Sequence, residues 1–157
     1  MEVLEVLSLD NLHKIESYVR TGQFVLASNA VTTVYYDVKG ALCDPTIGPE
    51  LIDGAVNRTA ELSKGKDITI AVKGYGGMLI GARVAERLGM PLIVFRPTAQ
   101  DHGTEDDTIR PNRFFPNVVI IDDVRSTGSS INYIEQKLNK IGSHTILGAV
   151  VVIDRKI

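Results

Sequence analysis

The chain has 157 residues, of which 44% are hydrophobic, and its formal net charge is −2. This length predicts one domain with a full hydrophobic core, and the composition excludes a disordered chain. The sequence has no long block of basic residues, so neither nucleic acid nor an anionic membrane is expected as the main partner.

The compartment can also be predicted from the sequence. Cys43 is the only cysteine, so no intrachain disulfide can form and a reducing setting is expected. The first ten residues carry acids where a signal peptide needs bases. No window approaches the ~20 apolar residues that a membrane span needs. We therefore expect a soluble, cytoplasmic protein.

The N-terminal third of the chain combines predicted helices and strands. Apolar residues at helical spacing behind Asp10 predict a helix over 10–20. The stretch 24–37 is rich in Val, Thr and Tyr, and it predicts strand with a turn at Ser28 and the following Asn. A second amphipathic helix is predicted over 45–63.

The rest of the chain alternates short apolar strands with helices. Strands are predicted over 68–72, 91–95, 118–121 and 145–153, and helices over 78–88 and 129–141. This order predicts an α/β fold with a parallel sheet covered on both faces. Ligands of such sheets bind at the carboxyl ends of the strands. We therefore expect the loops after the first three of these strands to meet at one site, including the long polar stretch 97–113.

The segment 118–130 reads VVIIDDVRSTGSS and joins two kinds of ligand-binding group. Asp122 and Asp123 end an apolar strand, where carboxylates can accept hydrogen bonds from sugar hydroxyls or hold a hydrated Mg²⁺. Ser126 to Ser130 lead into a helix, whose free N–H groups and dipole favour an anion. Alternatively, one aspartate caps the helix and the serines fill a turn. A ligand with a phosphate at one end and a diol at the other would use the whole segment.

This segment resembles the motif that binds phosphoribosyl pyrophosphate (PRPP) in type I phosphoribosyltransferases. The resemblance implies that Asp122 and Asp123 are catalytic, bind the ribose hydroxyls and hold Mg²⁺ indirectly. It also implies that the 5-phosphate is bound by Arg125, Ser126, Thr127, Gly128, Ser129 and Ser130. The implied fold is a Rossmann-like parallel sheet flanked by helices, in a single domain 1–157. An N-terminal helix and hood would occupy about 1–45, and the α/β core about 46–157.

Three further segments are similar to orotate phosphoribosyltransferases in particular. FVLASNAVTTVYYDVKGALCDP, at 24–45, resembles the hood on the base side, where Tyr35, Tyr36 and Asp37 are expected to be strand residues near the base hood. VKGYGGMLIGARVAERLGMP resembles the pyrophosphate loop and the next helix, and it implies a pyrophosphate site at Lys73, Gly74, Tyr75, Gly76 and Gly77. FRPTAQDHG, at 95–103, resembles the mobile catalytic loop, with Arg96 and Gln100 in that loop and His102 as a catalytic residue. The family also implies a homodimer and, as ligands, PRPP with a nucleobase or a nucleoside monophosphate.

The chain departs from the family pattern at charged positions. Lysines that neutralise pyrophosphate in the family are replaced by Pro97 and Gln100, and the stretch 97–113 holds four acids against two bases. The arginine that pairs with the orotate carboxylate falls on Asn132, the base-side residue of this chain. These changes predict slow or absent turnover of orotate with PRPP binding retained. The alternative is a PRPP- or nucleotide-binding regulator, although no separate output domain is evident. A dinucleotide-binding enzyme is disfavoured because the GxGxxG spacing is missing.

Overall fold

The computed structural model describes residues 1–26, 28–97 and 108–155. The strands are β1 (Val3–Glu5), β2 (Val19–Val25), β3 (Val31–Tyr36), β4 (Thr69–Lys73), β5 (Leu92–Phe95), β6 (Thr108–Ile109), β7 (Asn117–Arg125) and β8 (Thr145–Asp154). The α-helices are α1 (Val38–Cys43), α2 (Ile47–Ser63), α3 (Gly74–Leu88) and α4 (Ser129–Ile141), and a 3-10 helix spans Leu9–Tyr18.

Six strands form one sheet in the order β1-β8-β7-β4-β5-β6. All neighbours are parallel except β5 and β6, which are antiparallel. Strands β2 and β3 form a separate antiparallel hairpin, which we call the hood. The turn predicted at Ser28 lies in this hairpin, and the next residue, Asn29, has a positive φ of 64°. The predicted α/β fold with a small hood is confirmed.

Successive side chains of a strand point to opposite faces of the sheet. Helices pack against both faces, so both are buried. In β7, Val119 and Ile121 pack in one core with α1, α2 and α3. Val118 and Ile120 of the same strand pack in a second core with α4. This explains why the central strands are continuous apolar runs without alternation.

Several predicted boundaries are wrong. The predicted helix over 10–20 is a 3-10 helix that ends at Tyr18 and is interrupted at Ile15, where φ is −119° and ψ is 24°. Strand β2 begins at the next residue, because Val19 pairs with Tyr36 of β3. Helix α3 begins at Gly74, four residues before the predicted start. The short elements β1, β6 and α1 were not predicted. Asp37, predicted as a strand residue, is the N-cap of α1, and its side chain accepts a hydrogen bond from the N–H of Gly40.

Candidate active site

The sheet reverses its direction of winding between β4 and β7. From β4 the chain passes through α3 to β5 on one side, and from β7 it passes through α4 to β8 on the other. Open α/β sheets bind ligands outside the carboxyl ends of their strands at such a switch point. The register of β7 with β4 ends at Ile120, whereas β7 stays paired with β8 as far as Arg125. The pairing of the two central strands thus stops before their carboxyl ends.

A cavity of about 380 Å³ lies at this edge. Its walls come from the hood, from α1, from the first turns of α3 and α4, and from the ends of β7 and β8. The lining residues are Val25, Leu26, Ser28, Tyr35, Tyr36, Lys39, Lys73, Gly74, Tyr75, Gly76, Asp122, Asp123, Val124, Ser126, Ser129, Ser130 and Arg155. Two of the three loops predicted to meet do so here. Most of the third, after β5, lies outside the described residues.

Asp122 and Asp123 both line the cavity and are buried, with 8% and 9% of their surface exposed. They lie inside β7 and not beyond its end, because β7 continues to Arg125. The Oδ1 atom of Asp122 accepts a hydrogen bond of 2.9 Å from the N–H of Asp123. Burial, and next the nearby charge of Asp123, raise the pKa of the Asp122 carboxyl well above its ordinary value. A neutral Asp122 could donate a hydrogen bond to a sugar hydroxyl as well as accept one.

Lys39 provides the counter-charge for this acidic pair. Its Nζ atom lies 3.0 Å from Oδ2 of Asp123. Burial is the largest single influence and disfavours the Lys39 ammonium. The charge and hydrogen bond of Asp123, with smaller contributions from Tyr35 and Asp122, together outweigh it, so the pKa of Lys39 is raised overall. Lys39 is therefore a protonated, positively charged partner of Asp123.

The segment 126–130 forms the turn into α4. Gly128 is the N-cap residue and has a left-handed conformation, with φ at 79° and ψ at 9°. Ser126, Gly128, Ser129 and Ser130 also line a recess of about 30 Å³ beside the main cavity. Gly128 has no side-chain oxygen to cap the helix, and the Ser129 N–H has only a long contact of 3.4 Å to Thr127 Oγ1. The first-turn N–H groups of α4 can therefore bind an anion.

The glycine-rich segment after β4 is the first turn of α3. Lys73 stands at its N-cap position without a capping side-chain hydrogen bond, and Gly74 has a positive φ of 68°. A Cβ atom at Gly76 would lie 2.3 Å from Cγ of Asp123, so the helix can approach the acid only because this residue is glycine. A Cβ atom at Gly77 would meet Val72 and the Ile121 carbonyl at 3.1 Å. Gly77 thus packs the helix on the sheet and does not line the cavity.

The structure places other predicted site residues away from the cavity or does not describe them. Asn132 is exposed on α4, and Thr127 is exposed; neither lines the cavity. The Arg96 carbonyl accepts a hydrogen bond of 3.4 Å from the Tyr133 hydroxyl. Arg125 lines the small recess, and its Nη1 atom forms a salt bridge of 3.2 Å with Asp154. His102 and Gln100 lie outside the described residues.

Two cations of the cavity were not predicted as site residues. Lys39 lies in α1, a helix too short to be recognised by periodicity. Arg155 follows β8, and its Nη2 atom donates a hydrogen bond of 2.6 Å to Thr32 Oγ1 in the hood. The rule that ligands bind at the carboxyl ends of parallel strands applies to β8 as well as to β4 and β7. Applied to that strand, it would have drawn attention to Arg155.

The donor groups at the cavity fit a Mg²⁺ ion that arrives with a phosphate ligand. Mg²⁺ is usually held by one or two carboxylates, and water and substrate phosphates complete its coordination. Asp122 and Asp123 supply that number of carboxylates. Within residues 1–26, 28–97 and 108–155, no cluster of three or more His, Cys, Asp or Glu side chains could hold a metal by itself. The Mg²⁺ requirement stays a prediction.

Across the same described ranges, none of the helices has the length and apolar character needed to cross a membrane.

Known proteins resemble the chain over most of its length, although no protein-family model matches it. The orotate phosphoribosyltransferase of Methanocorpusculum labreanum is 34% identical over 139 residues, which cover 88% of this chain and 77% of that protein. That of Methanocaldococcus jannaschii is 30% identical over 147 residues, covering 94% and 81%. The crystal structure of orotate phosphoribosyltransferase from Aeropyrum pernix matches with a TM-score of 0.70 at 31% identity. It covers 92% of this chain and 80% of that one.

Proposed function

Because this chain belongs to the orotate phosphoribosyltransferase family, we propose that it transfers the 5-phosphoribosyl group of PRPP to orotate. The regulatory alternative is not favoured, since the relatives that resemble the chain over most of its length bear the name of an enzyme.

The convergence of two helix N-termini and two acids on one cavity is the observation that carries this proposal. Helices α3 and α4 both begin at the cavity, and Asp122 and Asp123 also line it. Each helix start favours an anionic group. PRPP has a monophosphate at one end, a pyrophosphate at the other and a diol between them. The turn 126–130 would hold the monophosphate, the acids the diol, and the first turn of α3 the pyrophosphate.

The reaction is a substitution at C1 of the ribose. The bond from C1 to the pyrophosphate oxygen breaks, and a ring nitrogen of the base forms the new bond to C1 and gives up its proton to the departing pyrophosphate or to water. Positive charge develops on the sugar and negative charge on the departing pyrophosphate, so the protein acts by positioning and by electrostatic stabilisation. Lys73 and the N–H groups of α3 face the departing anion in this arrangement. Asp122 and Asp123 fix the sugar through its hydroxyls.

Mg²⁺ would be held by Asp122 and Asp123, directly or through water, together with phosphate oxygens of the substrate. When bound, it would neutralise charge on pyrophosphate. We also propose that the protein is a cytoplasmic homodimer. That proposal rests on the single cysteine and on the family resemblance.

Turnover of orotate is expected to be slow. The family resemblance assigns the neutralisation of pyrophosphate to lysines that are replaced here by Pro97 and Gln100. Loss of one well-placed electrostatic donor typically lowers a rate about a hundred- to a thousandfold. Binding of PRPP is expected to survive, because the turn 126–130 is anchored between β7 and α4 and not in that loop.

A PRPP-dependent assay over several bases tests the proposed function. The purified protein is incubated with Mg²⁺ and PRPP and with orotate, uracil, adenine or hypoxanthine, and nucleotide products are separated by chromatography. We expect orotidine 5′-monophosphate to form faster than any other nucleotide. Preferential formation of a purine nucleotide would contradict the assignment of the base. Direct PRPP titration distinguishes a slow enzyme from a cavity that does not bind PRPP at all.

A further inference from the structure

Tyr133 of α4 lies against the ends of two neighbouring strands. Strands β4 and β5 are parallel, and their last residues, Lys73 and Phe95, are partners in the register. The Tyr133 hydroxyl donates a hydrogen bond of 3.4 Å to the carbonyl of Arg96, directly after β5. The Nζ atom of Lys73 lies 4.4 Å from the centre of the Tyr133 ring. One side chain of α4 thus contacts the two strand ends on the pyrophosphate side of the proposed site.

The alternation of side chains in β4 explains why Lys73 meets this ring. Val72 packs in the core formed with α1, α2 and α3, whereas Ala71 packs in the core formed with α4. Successive side chains point to opposite faces, so Lys73 points to the face of α4, although its own backbone leads into α3. The Tyr133 ring itself packs against the core formed with α4. The ring is therefore a fixed surface on which the Lys73 ammonium rests.

Lys73 lines the cavity, whereas Tyr133 does not. Any effect of the ring on a ligand in the cavity therefore passes through Lys73. A lysine side chain loses much rotamer freedom when a ligand fixes it. The face of an aromatic ring attracts an ammonium group and restricts it before the ligand arrives. Such a contact removes part of the entropic cost of fixing the lysine from the free energy of binding.

We infer that Tyr133 is a positioning residue that holds the Lys73 ammonium at the pyrophosphate end of the cavity. This inference rests on the proposed function, which assigns Lys73 and the first turn of α3 to pyrophosphate. The aromatic face carries this role. The hydroxyl adds only its long hydrogen bond to the Arg96 carbonyl, so the contact with Lys73 does not require it.

Lys137 provides a comparison within the same structure, because it contacts the same ring. It lies one turn further along α4, and its Nζ atom is 5.3 Å from the ring centre. Unlike Lys73, it does not line the cavity. Lys137→Met therefore removes a cation from the ring without removing one from the cavity wall. Its affinity for PRPP should stay within about twofold of the wild-type value.

Titration calorimetry with PRPP and with orotidine 5′-monophosphate, both in the presence of Mg²⁺, tests the role of Tyr133. The second ligand has the ribose and the 5-phosphate but no pyrophosphate. Tyr133→Leu should bind PRPP about three- to tenfold more weakly, the loss expected for one cation–π contact. It should bind orotidine monophosphate as the wild type does, which also shows that the variant is folded. Tyr133→Phe keeps the ring and should bind PRPP within about twofold of the wild type.

A double-mutant cycle separates positioning from a general effect on packing. In a Lys73→Met background no ammonium rests on the ring, so Tyr133→Leu should cause no further loss of PRPP affinity. Phe114→Leu is the matched control for lost aromatic packing. Phe114 packs against the same core, but its ring stacks on His144 and does not line the cavity. This control should bind PRPP as the wild type does.

Several results would overturn the inference and leave the proposed function standing. These are a PRPP affinity of Tyr133→Leu equal to or above that of the wild type, additive losses in the cycle, and a Tyr133→Phe variant as weak as Tyr133→Leu. An equal loss of orotidine monophosphate binding in Tyr133→Leu would overturn it as well, because that ligand has no pyrophosphate. A wild type that does not bind PRPP contradicts the proposed function and, with it, the role of Tyr133.

Discussion

Asp122 and Asp123 are adjacent in the chain but have different surroundings. Asp123 has Lys39 as a partner at 3.0 Å, whereas Asp122 is buried and accepts a backbone N–H. Burial and the Asp123 charge both favour the neutral form of Asp122. Two adjacent acids repel each other when both are charged. The salt bridge with Lys39 offsets this repulsion at Asp123, and at Asp122 the raised pKa favours the neutral form.

Asp122→Asn should stabilise the fold at neutral pH. The raised pKa means that the folded state holds the Asp122 proton more tightly than the unfolded state. Stability is thus lost as pH rises from the ordinary value of 3.8 through the raised pKa. Asparagine does not titrate, so it avoids this loss, and its side-chain oxygen can still accept a hydrogen bond from the Asp123 N–H. We expect the melting temperature at pH 7 to rise, by about 2–4 °C for each kcal/mol of added stability. This gain in melting temperature should shrink toward pH 4.

Asp67→Asn, at an exposed position, is the control and should leave the melting temperature unchanged at both pH values. A variant Asp122→Asn that melts below the wild type at pH 7 would show that the Asp122 carboxylate stabilises the fold in its charged form.

Lys39→Met should weaken PRPP binding, and more so at low pH. The Lys39 charge favours the ionised form of Asp122, so its removal raises the pKa of that carboxyl further. Because Lys39 is about half exposed, the effect should be modest, about two- to fivefold in Kd at pH 7. Titration calorimetry at pH 6, 7 and 8.5 measures it, with the exposed Lys66→Met as control. A PRPP affinity that rises in Lys39→Met would mean that Lys39 competes with the ligand for Asp123.

At the scale of the elements, the glycines at the start of α3 have separate tasks. Gly76 leaves room for Asp123, and Gly77 packs against β4 and β7. Gly76→Ala should therefore push the Asp123 carboxylate away from Lys39 and weaken PRPP binding about ten- to a hundredfold. The free energy of unfolding should change little, because the clash with Asp123 is offset by the higher helix propensity of alanine, which is up to about 1 kcal/mol over glycine. Met78→Ala on the same helix is the control, and equal PRPP affinity of Gly76→Ala and wild type would contradict this role.

The stretch after β5 leads to a prediction about rate. Pro97→Lys combined with Gln100→Lys should raise the rate of orotate turnover, because it restores positive charge where the family resemblance expects it. The gain could reach about a hundredfold if the charges meet the departing pyrophosphate. Steady-state kinetics should show the change in kcat, with little change in PRPP affinity. Ordinary enzymatic rates in the wild type would show that other groups, such as Lys73 or Arg110, already supply the charge.

The sequence predicted those elements whose signal is local and repeated. Helix α4 was predicted with correct ends, because its apolar face and the flanking glycines are both in the segment itself. Strand β1 could not be predicted, since three residues become a strand only by pairing with Ala149 to Val151, far along the chain. The same holds for Lys39 and Arg155, whose importance depends on long-range neighbours. The acids and the turn 126–130 were predictable because one short segment carries them all.

At the scale of the whole molecule, the hood is tied to the core at the cavity. Arg155 bonds to Thr32 of the hood, and Lys39, which follows the hood in α1, bonds to Asp123 of the core. Both ties pass through groups that line the cavity. Occupation of the cavity should therefore also affect how firmly the hood is held.

The proposed homodimer is a separate prediction at this scale. Size-exclusion chromatography with light scattering at micromolar concentration should give twice the chain mass of 17.1 kDa. Measurements with and without PRPP and Mg²⁺ would show whether assembly depends on the ligand. A mass of one chain under both conditions would contradict the dimer, and it would leave the cavity and its chemistry unaffected.

Titration of PRPP in the presence of Mg²⁺ bears most directly on the proposed site, because the two helix starts and two acids are assigned to one ligand. The wild type should bind PRPP at one site per chain. Gly128→Val should bind at least tenfold more weakly, because valine does not tolerate the positive φ of 79° at this turn and would block the approach of the phosphate. Gly65→Val, at another positive φ but away from the cavity, controls for backbone strain. Absence of PRPP binding by the wild type, or equal binding by the wild type and Gly128→Val, would contradict the assignment.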